Sequence, residues 1–434
     1  MSFQAVKGMR DFYPQQMRVT NWILDIWRRV SLRNGFEEYD APIFEYLELF
    51  TAKSGPEIAE QLFSLTDRGG RNLAIRPEIT PSLARMVNAK VNSLPRPIKW
   101  FSMPRLCRAE NPQRGRLREF FQWNIDIIAE ESELADAECV FVAVEALREM
   151  GLGSSDVVVR YSSRTLLTEL LRALGLSDDA MPRAMAVLDK RDKVAPEAFD
   201  QMLSGVIPDR QVRSALMRLL DAPMETGGNA EQFVAQIAQG AGVKPTAAMA
   251  AAAKSLTDFQ AGLRDFGIAD WCTYDPGIVR ALAYYTGIVY EIFDRRQSLR
   301  AVAGGGRYDN LLELLGGPRL TATGFGMGDV VLEILLEETG KLPQPAPELD
   351  YFIVDAEGAP LERVVALVAA ARRAGWSADF SYRRQATGKQ LKEANRRGAR
   401  KAVIVRADAV LVKDLATGQQ SELSLEQFLQ QIQP

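Results

Sequence analysis

Residues 105–126 read RLCRAENPQRGRLREFFQWNID, and five arginines (Arg105, Arg108, Arg114, Arg116 and Arg118) fall around the turn-forming NPQRG. Apolar runs flank the loop, so the stretch predicts two strands joined by a turn, with their guanidinium groups aimed at one place. Planar forks of this kind suit polyanionic phosphate better than ammonium groups do. Phe120 or Phe121 offers an aromatic face for a base. The competing reading is a surface hairpin laced with ion pairs.

Working outward, further strands of antiparallel length are predicted at 35–44 (GFEEYDAPIF), 72–77 (NLAIRP), 96–110, 120–130 and 279–291 (VRALAYYTGIVYE). Helices are expected at about 15–33, 79–91 and 135–150. Alanine-dense sequence with apolar residues three and four apart marks 166–265 as a helical insertion. The proline-rich GKLPQPAPELD then reads as a semi-rigid connection, with the linker at 339–349. Beyond it, strands alternate with helices over 350–434, which predicts a small α/β domain with a largely parallel sheet.

Composition narrows the function. The chain has 434 residues, is 47% hydrophobic and 25% charged, and carries a formal charge of −3. These values describe a folded globular protein rather than a disordered chain or a polycation. Three cysteines without CxxC spacing indicate neither a zinc site nor a disulfide framework, consistent with a reducing cytoplasm. No run reaches the roughly 18 apolar residues that span a bilayer. There is no histidine, which removes imidazole bases, Ser-His-Asp triads and histidine metal sites. Chemistry must therefore run on carboxylates, arginines, backbone amides or the substrate itself. Charge is uneven: Arg383, Arg384, Lys389, Lys392, Arg396, Arg397, Arg400 and Lys401 are relieved only by Glu393 over 383–401. That run is either a solvated helix face or a surface that tracks phosphate.

Three other stretches carry candidate chemistry. AVAGGGRYDNLLELLGG (301–317) puts three glycines between an apolar run and a helix, either to let backbone approach a ligand or simply to turn the chain. IRPEITPSLARM (75–86) places Thr80 as a helix N-cap before Pro81, with Glu78 free to cap or to hold an ammonium. In a regular strand Arg280 and Tyr284 would share a face and Tyr285 would point away. If both faces meet one pocket, either the chain bends between them or Arg280 precedes the strand.

Taken in order, these motifs resemble those of the histidyl-tRNA synthetases, which are class II aminoacyl-tRNA synthetases. The resemblance runs nearly end to end and is similar to the plastid and cyanobacterial branch. VKGMRDFYP resembles the family's opening and GFEEYDAPIFEYLELF resembles motif 1, with Pro42 in a strand at a dimer interface. RLCRAENPQRGRLREFFQWNID resembles motif 2. VRALAYYTGIVYE and GGGRYDNL resemble the two histidine-specific signatures, and the basic C-terminal domain resembles the anticodon-binding module.

The fold so implied is α+β: a class II antiparallel sheet flanked by helices, in a core of 1–165 and 266–338, with the helical insertion and a C-terminal α/β anticodon-binding domain. The implied activity is ligation of histidine to tRNA(His) through histidyl-adenylate. The substrates would be histidine and ATP with Mg²⁺, without a prosthetic group or a protein metal site, in a cytoplasmic homodimer. The resemblance makes Arg108 and Arg280 catalytic and puts Arg108, Glu110, Arg116 and Phe120 on ATP. It puts Glu78, Thr80, Gln122, Asp126, Tyr284 and Tyr285 on histidine, with Tyr284 expected chiefly to pack. Transfer RNA would meet Gln113, Arg114, Arg383, Arg384, Lys389, Lys392 and Arg396.

The chain also departs from the pattern. Ala281 and Ala283 replace a glycine and an aspartate, Asn111 stands where an arginine is common, and Val331 takes the position of the motif 3 arginine that grips the γ-phosphate. Arg114 and Arg116 are the candidates to supply that grip. Two other functions fit such a chain: a regulatory subunit of histidine biosynthesis built on the same fold, and a ligase that delivers the adenylate to an acceptor other than tRNA. A synthetase without histidine codons could also be translated while charged tRNA(His) is scarce.

Overall fold

Along Glu119–Ile128 apolar and polar side chains alternate, and this alternation positions everything else. Trp123, Ile125 and Ile127 enter the main core, which turns Phe120, Gln122, Asn124 and Asp126 to the opposite face of the sheet. The computed structural model describes residues 3–51, 62–191, 194–221, 230–280, 284–343, 349–356 and 359–433. It divides into two units, Met1–Leu342 and Pro343–Pro434.

In the first unit the strands are β1 (Glu37–Glu38), β2 (Phe44–Tyr46), β3 (Ser64–Thr66), β4 (Asn72–Ile75), β5 (Ile98–Ser102), β6 (Arg105–Cys107), β7 (Glu119–Ile128), β8 (Val157–Ser163), β9 (Cys272–Tyr274), β10 (Ile288–Asp294), β11 (Ala303–Arg307) and β12 (Ala322–Gly328). The large sheet runs β1-β5-β7-β12-β11-β10-β8-β9, with β6 paired to β7, and β2-β4-β3 form a small separate sheet. Its centre is antiparallel, as expected. The two edge pairs, β1 with β5 and β8 with β9, are parallel. A parallel neighbour needs a long crossover, and β9 is reached only after the helices of 164–265.

Helices Pro14–Arg33, Glu133–Glu149 and Ala247–Asp265 cover one face of the sheet, where Trp27 stacks on Trp123 with ring centroids 5.8 Å apart. On the other face helix Thr80–Lys90 packs with Tyr39, Tyr285, Tyr308, Leu311 and Leu312. Helices from Arg164 to Asp221 build a smaller core of their own around Leu171, Met185, Leu203 and Leu216. A buried ion pair locks the layers together. Arg307 of β11 donates to Asp136 at 2.5 Å and to the carbonyls of Glu130 and Ser132, and Thr323 donates to the same carboxylate. Burial of those charges is tolerable because every fork nitrogen finds an acceptor.

Several local expectations change. Pro42 lies between β1 and β2 and not in a strand. Thr80 is the first residue of its helix; Ile79 precedes it, with no side-chain cap. With Pro81 in the first turn, one backbone donor that a cap would serve is already gone. Gly304, Gly305 and Gly306 lie inside β11 rather than at a helix start. The aspartate of GMGDVV holds two parts of the chain together. Asp329 accepts from Arg10 at 2.6 Å and from the backbone amide of Phe121 at 3.0 Å, tying the N-terminal GMRDF segment to β7.

The second unit contains β13 (Leu349–Asp355), β14 (Ala378–Phe380), β15 (Ala399–Val405), β16 (Ala409–Asp414) and β17 (Gln420–Ser424), ordered β14-β13-β15-β16-β17. Pairs with β13 are parallel, whereas β15-β16-β17 are antiparallel, so the sheet is mixed rather than largely parallel. The short connection between β16 and β17 permits only a hairpin. Apolar runs in β13 and β15 are continuous because both faces are covered: Tyr351, Ile353 and Val403 enter one core, Phe352, Val354 and Ile404 the other. Among the described residues no helix is long and apolar enough to cross a membrane.

Candidate active site

Four glycines form the floor of the site. Gly304 pairs with Gly326 and Gly306 with Gly324 across β11 and β12. A Cβ on Gly304 would sit 1.3 Å from Arg280 Nη1, and one on Gly306 3.1 Å from Tyr285 Cδ1. On Gly324 it would sit 2.5 Å from Asp126 Oδ1, and on Gly326 2.9 Å from Gln122 Cδ. Bare strand backbone is therefore what lets four polar or aromatic side chains converge over one patch of sheet. They come from two separate motifs of the sequence; their convergence comes from the register.

At one end stands Asp126, 3% exposed. Tyr308 donates its hydroxyl to Oδ1, while Oδ2 is buried without a hydrogen-bond partner. Burial pushes the carboxyl pKa up to about 7 against the opposing effect of the Tyr308 bond. An acceptor left unsatisfied in an apolar pocket is costly unless a ligand donor completes it. Tyr285 lies beside it, and Tyr284 packs on both Tyr285 and Tyr308, with centroids 5.1 and 5.9 Å away. Tyr284 does more than pack, since its hydroxyl donates to Glu78 at 3.3 Å. Thr80 follows at the start of the adjoining helix, half-buried. Tyr308 was not among the predicted site residues, although it adjoins the glycine run in GGGRYD. If the pocket takes histidine, as the motifs imply, Tyr308→Phe should weaken histidine binding about tenfold by misplacing Asp126, measured by calorimetry against unchanged ATP binding.

Cationic groups occupy the other end. Arg108 donates from Nε to the Pro77 carbonyl at 2.9 Å, with its fork 5.1 Å over the Phe120 ring. Arg116 pairs with Glu110 at 2.5 Å and Arg280 with Glu291 at 3.4 Å. Arg280 and Tyr285 both precede β10, so strand alternation does not hold them to opposite faces, and Arg280 has φ +50°, in the left-handed region. Its carbonyl is held by Arg164 Nη1 at 2.8 Å, and its fork lies 5.5 Å from the Tyr285 ring. Ala281 and Ala283 fall outside the described residues.

The five motif arginines do not share one target. Arg105 pairs with Glu119 at 3.4 Å and covers the Phe121 ring, and Arg118 donates to the carbonyls of Glu110 and Lys7. Arg114 is drawn off to Glu338. Gln113 closes the tight turn, exchanging backbone bonds with Arg116 at 2.9 Å. Arg105 lies in β6 and the other four in the connection between β6 and β7, where separate partners draw them apart. Among the described residues no cluster of three or more Cys, Asp or Glu side chains is arranged to hold a metal ion.

In the second unit Arg383, Arg384, Lys389, Lys392 and Arg396 are all exposed or half-buried. Lys389, Lys392 and Arg396 are spaced three and four apart on helix Thr387–Arg396, hence on one face. Arg384 is partly committed elsewhere, pairing with Asp355 at 2.7 Å.

Comparison with known proteins gives the family. A family model described as Histidyl-tRNA synthetase matches residues 8–329, and one described as Anticodon binding domain matches residues 353–434. The chain is 40% identical over 432 residues to a histidine–tRNA ligase of Opitutus terrae, covering 98% of this chain and 97% of that one. It is 38% identical to a chloroplastic/mitochondrial histidine–tRNA ligase of Arabidopsis thaliana, covering 96% and 84%. In fold it matches the crystal structure of histidyl-tRNA synthetase from Nostoc sp. PCC 7120, with TM-score 0.83 and 22% identity over 100% of this chain and 99% of that one.

Proposed function

The chain belongs to the histidyl-tRNA synthetase family, and on that premise we propose how its residues carry out ligation of histidine to tRNA. It activates histidine with ATP and passes the acyl group to tRNA. The observation that carries the residue assignment is the glycine floor, which collects Arg280, Tyr285, Asp126 and Gln122 over a single patch of sheet.

In this reading the imidazole lies between Asp126 and Tyr285, and its ring N–H completes the unsatisfied Asp126 Oδ2. Glu78, steadied by Tyr284, takes the ammonium, with Thr80 and Gln122 alongside. The histidine carboxylate then lies near the guanidinium end. Its oxygen attacks the α-phosphorus, the bond to the bridging oxygen breaks, and pyrophosphate leaves. Arg108 and Arg280 stabilise charge on the α-phosphate oxygens as it develops, two fixed cations that need no reorganisation. Phe120 stacks the adenine. Mg²⁺ enters with the triphosphate as part of the substrate.

In the second step the terminal tRNA hydroxyl attacks the acyl carbon and AMP leaves, its phosphate oxygen accepting the proton. The core spans 1–165 and 266–338, with the insertion at 166–265 and the anticodon-binding domain at 350–434. Gln113 and Arg114 lie at the turn expected to meet the acceptor end. Arg383, Arg384, Lys389, Lys392 and Arg396 face the anticodon arm. The setting is a cytoplasmic homodimer formed through the segment around Pro42.

Histidine-dependent exchange of pyrophosphate into ATP tests the first step, and acylation of tRNA(His) tests the second. No exchange with any amino acid would overturn the activity and leave the regulatory reading. Exchange without acylation would leave a ligase with another acceptor. The combined change Lys389→Glu, Lys392→Glu should lower acylation about tenfold through tRNA affinity while exchange stays unchanged; equal losses in both assays would remove those lysines from the tRNA surface.

A further inference from the structure

Both sequence candidates for the grip on the terminal phosphates already hold a carboxylate. Arg114 is bound to Glu338 and Arg116 to Glu110, and Val331, 7% exposed, brings no charge. A different arginine occupies this wall. Arg300 lies in the connection between β10 and β11, four residues before the floor glycine Gly304.

The loop of motif 2 lies alongside it. Gly115 has φ +75°, and the direction of its missing side chain points at both residues: a Cβ there would be 3.3 Å from Val331 Cγ2 and 3.9 Å from Arg300 Cδ. Val331 thus fills the apolar side of this wall and leaves its charge to Arg300. The surrounding charges are Arg116, Glu110 and Glu291. Both carboxylates are already engaged, Glu110 by Arg116 and Glu291 by Arg280. Burial first, and repulsion from Arg116 second, push the Arg300 pKa down from the ordinary arginine value. Arg300 remains exposed on one side, and a guanidinium beside a second cation is a surplus of positive charge that an anionic ligand relieves.

We propose that Arg300 binds the terminal phosphates of ATP, the role for which Val331 has no chemistry. The assignment rests on the reading of the site as an ATP pocket. Its planar fork can take two oxygens of one phosphate, while Arg108 and Arg280 hold the α-phosphate further along the floor. Arg300 is then a ligand for the β- or γ-phosphate and makes no contact with the nucleoside or the amino acid.

Calorimetric titration of the full-length protein with ATP and, separately, with AMP decides the matter. Arg300→Gln keeps the stem and some hydrogen-bonding capacity and should weaken ATP binding about tenfold, with AMP affinity and melting temperature unchanged. Arg300→Lys should fall between the wild type and the glutamine variant. In pyrophosphate exchange the glutamine variant should raise the KM for ATP by the same factor and leave the KM for histidine alone. Unchanged ATP affinity, or an equal fall for AMP, overturns the proposal. If the wild-type protein shows no exchange, the activity fails, and the two titrations still decide Arg300.

Discussion

Arg280→Ala lowers the rate of histidine-dependent pyrophosphate exchange by about 10²- to 10³-fold, with histidine affinity nearly intact. Loss of one preorganised charge at the reacting centre has this order of effect. Arg280 is also costly to misplace. It holds a left-handed backbone conformation, lies against Gly304, and has its carbonyl pinned by Arg164. Removing the guanidinium leaves Glu291 without its 3.4 Å partner at the proposed phosphate end. Arg280→Ala combined with Glu291→Gln should therefore recover part of the loss. A single variant that retains exchange within about threefold would remove Arg280 from the catalytic set. A double variant no faster than Arg280→Ala alone would remove the repulsion argument.

Asp126→Ala raises the Kd for histidine about 10²-fold and leaves ATP binding unchanged, because the change deletes the acceptor proposed for one ring nitrogen while the proposed phosphate end of the floor stays whole. Apolar amino acids of similar size should gain little from the space. The pH dependence follows from burial. With its pKa raised from 3.8 to about 7, Asp126 binds a proton more tightly in the folded protein than in the unfolded chain. Its contribution to the stability of the ligand-free protein is therefore full below about pH 4 and is lost as pH rises through about 7. A ring N–H donated to the carboxylate favours the ionised form. Histidine affinity should thus rise with pH up to about 7 and then level, by at most about tenfold per unit from this group. Free histidine titrates near 6.5 and adds an acid limb of its own. Asp126→Asn should abolish the first component and keep the second; an unaltered profile would show that Asp126 does not titrate on binding.

Much of the fold was legible because its signals are local. The two-residue alternation of FFQWNIDII decides which face of β7 carries Gln122 and Asp126, and no distant residue can reverse that without exposing Trp123 and Ile125. Continuous apolar runs in YFIV and AVIV likewise require a sheet covered on both faces. Even the kink at Arg280 was posed by sequence, since period two forbids Arg280 and Tyr285 from sharing a face.

The remainder depended on partners far apart along the chain. Tyr308 meets Asp126 across 182 positions, and no periodicity within β7 or GGGRYD announces that bond. The glycines of β11 read equally well as a turn, because a lone run of glycines does not say what passes over it. Cross-strand register alone sets Gly304 against Gly326 and Gly306 against Gly324, and so opens the floor. The motif 2 arginines are close in sequence without sharing a direction, and Glu119 and Glu338 take two of them away. Sequence by itself determined the polar face of β7, the position of most strands and the order of motifs that marks the family. Tertiary structure alone decided which charges are left for a ligand in the pocket, because a guanidinium is neutralised by whatever carboxylate the fold brings within reach, not by its neighbours in the chain.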